Sequence, residues 1–337
     1  MTNVLPVLDL RDADRGPSAR ATFLTRLSAA VHDVGFFQLV GHDVDNGADI
    51  LRLTKEFFGR PETELAALSI LGSPHLRGYS EVGRELTRGA PDRRRQLDIG
   101  PEREPGPAGH GAAPWAWLAG PNQWPAAMPE LEPAITDWMG ALTRLSYRLL
   151  RLILASLDAP EDFLDDVVAP DPQVHMKLLH YPGRGGERPS DEQGIGVHKD
   201  YGLLTLLLQD GHGGLQVSLT EGEFLDVPPL PGAFVVNLGE LLEVSTRGYL
   251  RATTHRVVSP PPGVDRYSIP FFYNPRLDAI MRPLRTDAVQ NAAGVVADPE
   301  NPLTASYGAN VLRGMVRAFP ELIALHHPEV LDRSASR

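Results

Sequence analysis

His198 and Asp200 are the first residues of this sequence whose types and spacing could do chemistry. One residue separates them within a β-rich stretch, and because side chains alternate along a strand, both project to the same face. In an acidic protein such a pair is more often an ordinary surface hydrogen bond. A third ligand is required, and His255, at the start of a later strand, supplies one if distant strands converge at one mouth of a barrel.

Two histidines and one carboxylate on a single face of a metal ion leave three adjacent coordination positions open. A bidentate cosubstrate and O2 can occupy those positions, as in non-haem Fe(II) oxygenases. Zinc is the main competitor for the same ligands, but a hydrolytic zinc site would also be expected to show a neighbouring general base, and none stands out. The triad therefore favours iron.

The second chemical element is Arg266 with Ser268, which alternation again places on one strand face. An arginine fork holds a carboxylate through two charge-assisted hydrogen bonds, and a nearby hydroxyl completes the clasp. The turn PPPG at 260–263 predicts a hairpin that returns Arg266 alongside His255, several ångströms from the metal. By itself, an arginine at such a position is more often an ordinary surface residue of a hairpin.

Composition limits the kinds of partner. The chain has 337 residues and a formal net charge of -11, which opposes a broad electrostatic grip on nucleic acid or on an anionic membrane. It has no cysteine, so disulfides and thiolate metal sites are excluded. Neither a signal peptide nor a membrane span is predicted. We expect a cytoplasmic protein with a small-molecule substrate; its oligomeric state is open, and a monomer is compatible with the sequence.

The elements that must position these residues form one predicted domain. Residues 1–128 are predicted to be helices and loops that include substrate-contacting loops, 129–169 scaffold helices, 170–275 the catalytic core, and 276–337 a C-terminal region with a closing helix near 306–318. The core carries short β-rich segments punctuated by Gly and Pro, which predict a mainly β fold with flanking helices, either a double-sheet jelly roll or a small barrel. The eight predicted strands are 174–181, 194–198, 203–209, 214–217, 223–227, 233–238, 253–259 and 266–273.

From about residue 5 to 319 the chain resembles the isopenicillin N synthase-like branch of the 2-oxoglutarate/Fe(II) dioxygenases. The resemblance depends on the ordered set GVHKD (196–200), LTLLLQD (204–210), GGLQV (213–217), VNLGE (236–240), THRV (254–257) and RYS (266–268). It implies a distorted jelly roll, with Fe(II) on His198, Asp200 and His255. It also implies that Arg266 and Ser268 bind the distal carboxylate of 2-oxoglutarate and that Tyr181 hydrogen-bonds this cosubstrate.

The loop-rich region suggests a substrate. In the branch that includes ethylene-forming enzyme and the homoarginine or arginine hydroxylases, a Glu-x-Thr and a Tyr after the metal-binding Asp contact a guanidino group, and Glu85, Thr87 and Tyr201 fit that pattern. A carboxylate is the natural partner of a guanidinium. Arg313 on the last helix could meet the carboxylate of an amino acid, and alternation could point Phe272 toward the substrate. The alternative without a function is that Glu85 and Arg313 are charged residues exposed to solvent.

Hydroxylation of arginine or homoarginine, with release of succinate and CO2, is the function that these residues favour. Three alternatives stay open: an oxidase of the same fold that needs no 2-oxoglutarate, ethylene formation, and a non-catalytic jelly-roll binding protein. Oxygen uptake measured with and without 2-oxoglutarate distinguishes the oxidase from the hydroxylase. Iron titration separates the last, because a binding protein has no need of three convergent ligands.

Overall fold

Two β-sheets that pack face to face form the centre of the computed structural model, which describes residues 5–107, 111–183, 193–220, 222–295 and 302–335. The larger sheet has eight strands in the order β1-β2-β12-β9-β14-β7-β6-β3, and the smaller has four in the order β11-β10-β13-β8. The strands are β1 (Val7–Asp9), β2 (Phe36–Val40), β3 (Gly78–Ser80), β4 (Leu86–Thr87), β5 (Ala90–Pro91), β6 (Arg95–Ile99), β7 (Gln173–Tyr181), β8 (Gln193–His198), β9 (Leu204–Gln209), β10 (Leu215–Thr220), β11 (Glu223–Asp226), β12 (Phe234–Leu238), β13 (His255–Val258) and β14 (Arg266–Asn274).

Strand alternation gives the larger sheet a hydrophobic face on each side. Val235 and Leu179 point to the smaller sheet, where they pack with Leu215, Val217 and Val257. Their strand neighbours point to the opposite face and join the main core beneath the helices. The space between the two sheets is therefore apolar at one end, whereas polar and charged side chains line it at the other.

Helices cover the outer face of the larger sheet. The longest, α4, buries one apolar stripe along its length, as its predicted amphipathic pattern requires. The helices are α1 (Pro17–Ala29), α2 (Gly47–Phe58), α3 (Glu62–Ala66), α4 (Leu131–Ala155), α5 (Asp165–Val168), α6 (Glu240–Ser245), α7 (Asp287–Gln290), α8 (Tyr307–Ala318), α9 (Pro320–His326) and α10 (Pro328–Ala335), with a π turn at Ala30–Val34 and 3-10 turns at Leu10–Asp14, Ile70–Gly72 and Ala116–Leu118. No described helix is long and apolar enough to span a membrane.

The eight strands predicted in the core are all present as β7 to β14, and the two sheets confirm the jelly-roll prediction. The sequence did not predict β3 or β6, which lie in the region 1–128 that was predicted to contain helices and loops. These strands extend the larger sheet beyond β7, because β6 pairs with β7 and β3 with β6.

The predicted hairpin between His255 and Arg266 is wrong. Strand β13 pairs with β8 and β10 in the smaller sheet, whereas β14 pairs with β7 and β9 in the larger one. The proline-rich turn thus carries the chain from one sheet to the other. His255 and Arg266 face a common space from opposite sides instead of lying next to each other.

Candidate functional site

A cavity of about 1690 Å³ opens between the two sheets. It is lined by the predicted metal ligands, His198, Asp200 and His255, and by the predicted carboxylate clasp, Arg266 and Ser268. Strand β7 presents alternate residues to this space, from Gln173 through His175, Lys177 and Leu179 to Tyr181. Cavities that bind a single small molecule usually measure about 300 to 1,000 Å³. This one has room for two.

His198, Asp200 and His255 converge at the cavity wall. His198 ends β8 and His255 begins the neighbouring β13, where the two are direct cross-strand partners with ring centroids 4.2 Å apart. Asp200 Oδ1 lies 3.6 Å from His198 Nε2 and 3.8 Å from His255 Nε2. Since metal–ligand bonds to these atoms are about 2.1 Å long, ligands of one ion are at most about 4.2 Å apart. One ion can bridge Asp200 to either ring.

Backbone carbonyls fix which nitrogen of each imidazole faces the centre. His198 Nδ1 lies 2.8 Å from the Gly196 carbonyl and His255 Nδ1 3.1 Å from the Thr253 carbonyl. A carbonyl only accepts, so each Nδ1 carries the proton and each Nε2 offers its lone pair. Within the described residues, this triad is the cluster of His, Asp and Glu side chains suited to a metal ion.

The Asp200 carboxylate is held from the other side. Its Oδ2 accepts hydrogen bonds from Thr205 Oγ1 at 2.5 Å and from Asn237 Nδ2 at 2.8 Å. Oδ1 is left to face the two imidazoles. Thr205 on β9 and Asn237 on β12 are cross-strand partners in the larger sheet. The register of that sheet therefore sets the direction of the Asp200 side chain, although Asp200 follows β8 of the smaller sheet.

The charge state of the triad suits a cation. Burial would raise the pKa of Asp200, but the two imidazoles and the donors Asn237 and Thr205 outweigh it and the pKa is lowered. Burial, reinforced by His198, lowers the pKa of His255 to about 4. At neutral pH the site therefore offers an ionised carboxylate and, at His255, a neutral imidazole.

Two glycines allow the backbone to cross closely behind Asp200. A Cβ on Gly239 would lie 2.2 Å from the carbonyl oxygen of Gly202, which no side chain could tolerate. The same crossing lets the Glu240 amide donate to the Asp200 carbonyl at 2.7 Å. The glycine of the VNLGE segment is thus required to position the Asp200 carboxylate.

On the opposite wall, Arg266 is completely buried and its guanidinium is only partly satisfied. It donates to Ser268 Oγ at 3.2 Å and to Gln209 Oε1 at 2.9 Å, and its Cζ lies 4.8 Å from the centre of the Tyr181 ring. It forms no ion pair with a carboxylate of the described residues. On the neighbouring strand β7, the buried Tyr181 hydroxyl has no hydrogen-bond partner among the described residues. A buried cation beside an unused donor fits the carboxylate of a bound diacid.

The β4–β5 hairpin places Glu85 and Thr87 on the cavity wall. Asp92, which is fully buried, attaches this hairpin to β8: its Oδ1 accepts from the Gly196 amide at 3.1 Å and from Gln193 Nε2 at 3.0 Å. Its Oδ2 accepts from Thr87 Oγ1 at 2.9 Å. The hairpin thus packs on the strand that carries His198.

Glu85 already has two cationic partners. Lys177 Nζ lies 2.9 and 2.7 Å from its two carboxylate oxygens, and Arg94 Nη2 lies 2.8 Å from Oε2. Burial would raise the pKa of Glu85, but Arg94 and Lys177 outweigh it and the pKa is lowered. Glu85 is therefore an ionised carboxylate in a buried network and not a solvated loop residue.

Among the other residues predicted to contact substrate, Tyr201 and Phe272 line the cavity and Arg313 does not. Arg313 turns away and donates to the Pro302 carbonyl. One helical turn later on α8, the exposed Arg317 lines the cavity instead. The sequence alone could not distinguish these two arginines, because both lie on the same helix and only its packing decides which one faces the cavity.

Several residues that shape the site were not singled out from the sequence. They are Asp92, Arg94, Lys177, Thr205, Gln209 and Asn237. Lys177 could have been found from the alternation of β7, since it shares a face with Tyr181. Thr205 and Asn237 lie within segments that carried the family resemblance, but their contact with Asp200 depends on sheet pairing that no local pattern reveals.

Comparison with known proteins gives matches along most of the chain. The family model described as 2OG-Fe(II) oxygenase superfamily matches residues 173–275, and the model described as non-haem dioxygenase in morphine synthesis N-terminal matches residues 5–127. A homoarginine-6-hydroxylase of Arabidopsis thaliana is 33% identical over 294 residues, covering 83% of this chain and 87% of that protein.

A 2-oxoglutarate-dependent dioxygenase of Dothideomycetidae sp. is 36% identical over 286 residues, or 82% of this chain and 75% of its own length. Among solved structures, a full-length Neurospora crassa protein in complex with alpha-KG superposes with a TM-score of 0.74 and 26% identity, covering 92% of this chain and 95% of that one. The isopenicillin N synthase-like branch is not specifically matched; the broader superfamily is.

Proposed function

We propose that this chain, which belongs to the 2OG-Fe(II) oxygenase superfamily, hydroxylates a free amino acid that carries a guanidino group, such as arginine or homoarginine. The chain is a 2-oxoglutarate/Fe(II)-dependent dioxygenase, an oxidoreductase that uses Fe(II), 2-oxoglutarate and O2. A non-catalytic binding protein and an oxidase independent of 2-oxoglutarate do not match this class.

In this proposal His198, Asp200 and His255 hold the iron. The direction of their donor atoms supports it, since two Nε2 lone pairs and one carboxylate oxygen meet on one side and leave the cavity side open. When bound, Fe(II) with 2-oxoglutarate and O2 supplies the oxidation: one oxygen atom enters a substrate C–H bond and the other ends in succinate as CO2 is lost. The chain itself supplies orientation and excludes water.

Arg266, Ser268 and Tyr181 would bind the far carboxylate of 2-oxoglutarate. A guanidinium has five N–H donors, and those of Arg266 that point to protein acceptors reach Ser268, Gln209 and the His212 carbonyl. The remaining donors and the unpartnered Tyr181 hydroxyl are available to an anion. Leu179, on the same face of β7 as Tyr181, adds only apolar surface.

The observation that carries the guanidino substrate is the ionised, buried carboxylate of Glu85 on the cavity wall, with Thr87 and Tyr201 lining the same cavity. A guanidinium pairs with a carboxylate through two parallel hydrogen bonds. The similarity to a homoarginine-6-hydroxylase supports the same class of substrate. Arg317 replaces Arg313 as the partner of the amino acid's carboxylate, and Phe272 would contact its aliphatic part.

A turnover assay tests this function. The chain is incubated with Fe(II), 2-oxoglutarate, O2 and one of L-arginine, L-homoarginine or the neutral isostere L-citrulline, and succinate and hydroxylated product are measured. With a guanidino substrate, we expect succinate and the hydroxylated product in equal amounts. Glu85→Gln is expected to lower kcat/KM by about 30- to 100-fold, because a charged hydrogen-bonded pair contributes roughly 2 to 3 kcal/mol.

Other outcomes select the alternatives. Ethylene in the headspace would identify the ethylene-forming activity, which belongs to the same class of enzyme. If neither guanidino amino acid stimulates succinate release, the proposed substrate is wrong although the enzyme class stands.

A further inference from the structure

Lys177 occupies the position on Glu85 where the cationic end of a substrate would be expected. Its ammonium lies 2.9 and 2.7 Å from the two oxygens of that carboxylate, and the side chain is almost wholly buried on the cavity wall. The sequence has only three lysines, and the other two, Lys55 and Lys199, do not contact Glu85. A lysine in a cavity at such a point is a strongly hydrated cation placed away from water.

A guanidinium that approached Glu85 would meet two cations already there. One of them, Arg94, cannot leave, because it also lies 3.2 Å from the fully buried Asp92 and both side chains are shielded from solvent. The other, Lys177, has a flexible four-carbon stem. Both oxygens of Glu85 already accept from these two cations, and a third cation beside them would be repelled by both in a buried site. Lys177 must therefore move if a guanidinium is to bind.

A second carboxylate lies ready to receive it. Asp98 Oδ1 is 3.6 Å from Lys177 Nζ and is buried next to it. Asp98 now accepts hydrogen bonds from His175 Nε2 at 2.9 Å and Gln96 Nε2 at 2.6 Å. Burial would raise the pKa of Asp98, but Lys177 and His175 outweigh it and lower the pKa to about 2, so this carboxylate is ionised. A small rotation of the lysine exchanges one anionic partner for another without exposing the charge.

We propose that Lys177 is an internal cation that occupies the guanidinium subsite on Glu85 and is displaced to Asp98 when a cationic substrate binds. This inference rests on the proposed function, since it concerns the same site. Lys177 then acts as a specificity-determining residue. A neutral ligand of the same shape cannot repel the ammonium from Glu85, so only a substrate with a positive charge gains that carboxylate.

Binding measurements on matched variants test the proposal. Lys177→Met removes the charge and keeps most of the length of the side chain, Asp98→Asn removes the negative charge of the second partner, and Lys55→Met makes the same change as the first variant on the exposed face of α2. Dissociation constants for L-arginine and L-citrulline are measured without O2, from the change in the charge-transfer absorbance of the Fe(II) and 2-oxoglutarate complex and independently by calorimetry. Thermal unfolding of each variant shows that it is folded.

The expected results differ for the two ligands. Lys177→Met should bind arginine about tenfold more tightly, which is about 1.4 kcal/mol, and should leave citrulline affinity within about twofold. Asp98→Asn should weaken arginine binding by about tenfold, because the displaced lysine then has no anionic partner. Lys55→Met should keep the affinities of the wild type.

Contrary results are equally clear. If Lys177→Met weakens arginine and citrulline alike, the lysine binds a group that both ligands share, such as the α-carboxylate, and the proposal is overturned. Unchanged arginine affinity in Lys177→Met overturns it as well. Failure of the proposed function has a different signature: neither the wild type nor any of the variants, Lys55→Met included, would bind arginine.

Discussion

The two oxygens of the Asp200 carboxylate have different partners, and this difference defines the proposed metal site at the scale of single residues. Oδ2 accepts from Thr205 and Asn237, while Oδ1 faces the imidazoles of His198 and His255. A carboxylate that could rotate would offer a metal either oxygen or both. Because Oδ2 is engaged, Asp200 is set up to give a single ligand atom, which keeps more of the metal's coordination positions open.

Replacing Thr205 by valine should weaken iron binding. The substitution keeps the shape of the side chain and removes the hydroxyl that donates to Asp200 at 2.5 Å. Loss of a residue that orients a metal ligand typically costs about 10- to 100-fold in metal affinity, and we expect that range for the Fe(II) dissociation constant. Anaerobic titration of Fe(II), followed by the charge-transfer absorbance with 2-oxoglutarate, provides the measurement.

Thr205→Ser is the matched control, because it retains the hydroxyl and removes only a methyl group. It should bind Fe(II) within about threefold of the wild type. Equal Fe(II) affinity in Thr205→Val and the wild type would show that Asn237 alone orients Asp200.

At the scale of elements, the β4–β5 hairpin is the part of the fold that joins the proposed substrate residues to β8, the strand that carries His198. The hairpin is short, and a two-stranded ribbon of this size is not stable alone. Asp92 holds it in place through Gly196 and Gln193 of β8, and also binds Thr87 and Arg94. The carboxylate therefore sets the distance between Glu85 and the metal ligands.

Asp92→Asn should separate substrate binding from cosubstrate binding. The amide has the same size but places N–H groups against donors, so the hairpin loses its attachment to β8. We expect the KM for the guanidino substrate to rise more than tenfold and the dissociation constant of 2-oxoglutarate to stay within about twofold. The free energy of unfolding should fall by roughly 3 kcal/mol, as when one partner of a buried ion pair is removed.

The control for this substitution is Asp226→Asn on β11, an exposed aspartate whose carboxylate accepts from Gln216 within the smaller sheet. It should leave both binding constants unchanged. If Asp92→Asn raised the two constants equally, the hairpin would not be a separate substrate-positioning element. Steady-state kinetics and calorimetry distinguish these cases.

At the scale of the whole molecule, the space between the two sheets contains a chain of buried charges that runs from Asp92 through Arg94 and Glu85 to Lys177 and Asp98. These residues come from β6, β7 and the segment that contains the β4–β5 hairpin. Three carboxylates alternate with two cations, so each charge has an opposite neighbour. Such a network is favourable only while all its members stay ionised.

The pH dependence of stability should reveal this network. The pKa of Asp98 is lowered from 3.8 to about 2, because Lys177 and His175 outweigh the effect of burial. A carboxylate with a lowered folded pKa contributes stability that is fully present above its unfolded pKa and is lost as the pH falls through the folded value. The contribution is on the order of 2 kcal/mol at neutral pH.

We therefore expect the difference in the free energy of unfolding between the wild type and Asp98→Asn to be constant from about pH 7 to pH 5 and to fall to about half by pH 3. Urea denaturation at each pH measures it. Asp137→Asn, on the exposed face of α4, should differ little from the wild type throughout. A difference that stayed constant down to pH 3 would mean that Asp98 is not stabilised by ionisation.

The sequence by itself determined the kinds of element in the core and the ligand chemistry. Eight strands and the long helix were predicted within a few residues, because alternation and helical periodicity are local consequences of burying one face. His198 and Asp200 were paired for the same reason, and His255 was added from the chemistry of a three-ligand metal site. The residues of the clasp, Arg266 and Ser268, also share a strand face that spacing alone reveals.

Only the tertiary structure decided how these elements meet. Strands β13 and β14 lie in different sheets, so His255 and Arg266 face each other across a cavity, which no local pattern distinguishes from a hairpin. The packing of α8 places Arg317, and not Arg313, on the cavity wall. The register of the larger sheet brings Thr205 and Asn237 to Asp200. The partners of Glu85 come from distant strands. Local periodicity records which face of an element is buried, whereas the partner across that face depends on long-range pairing that single segments do not encode.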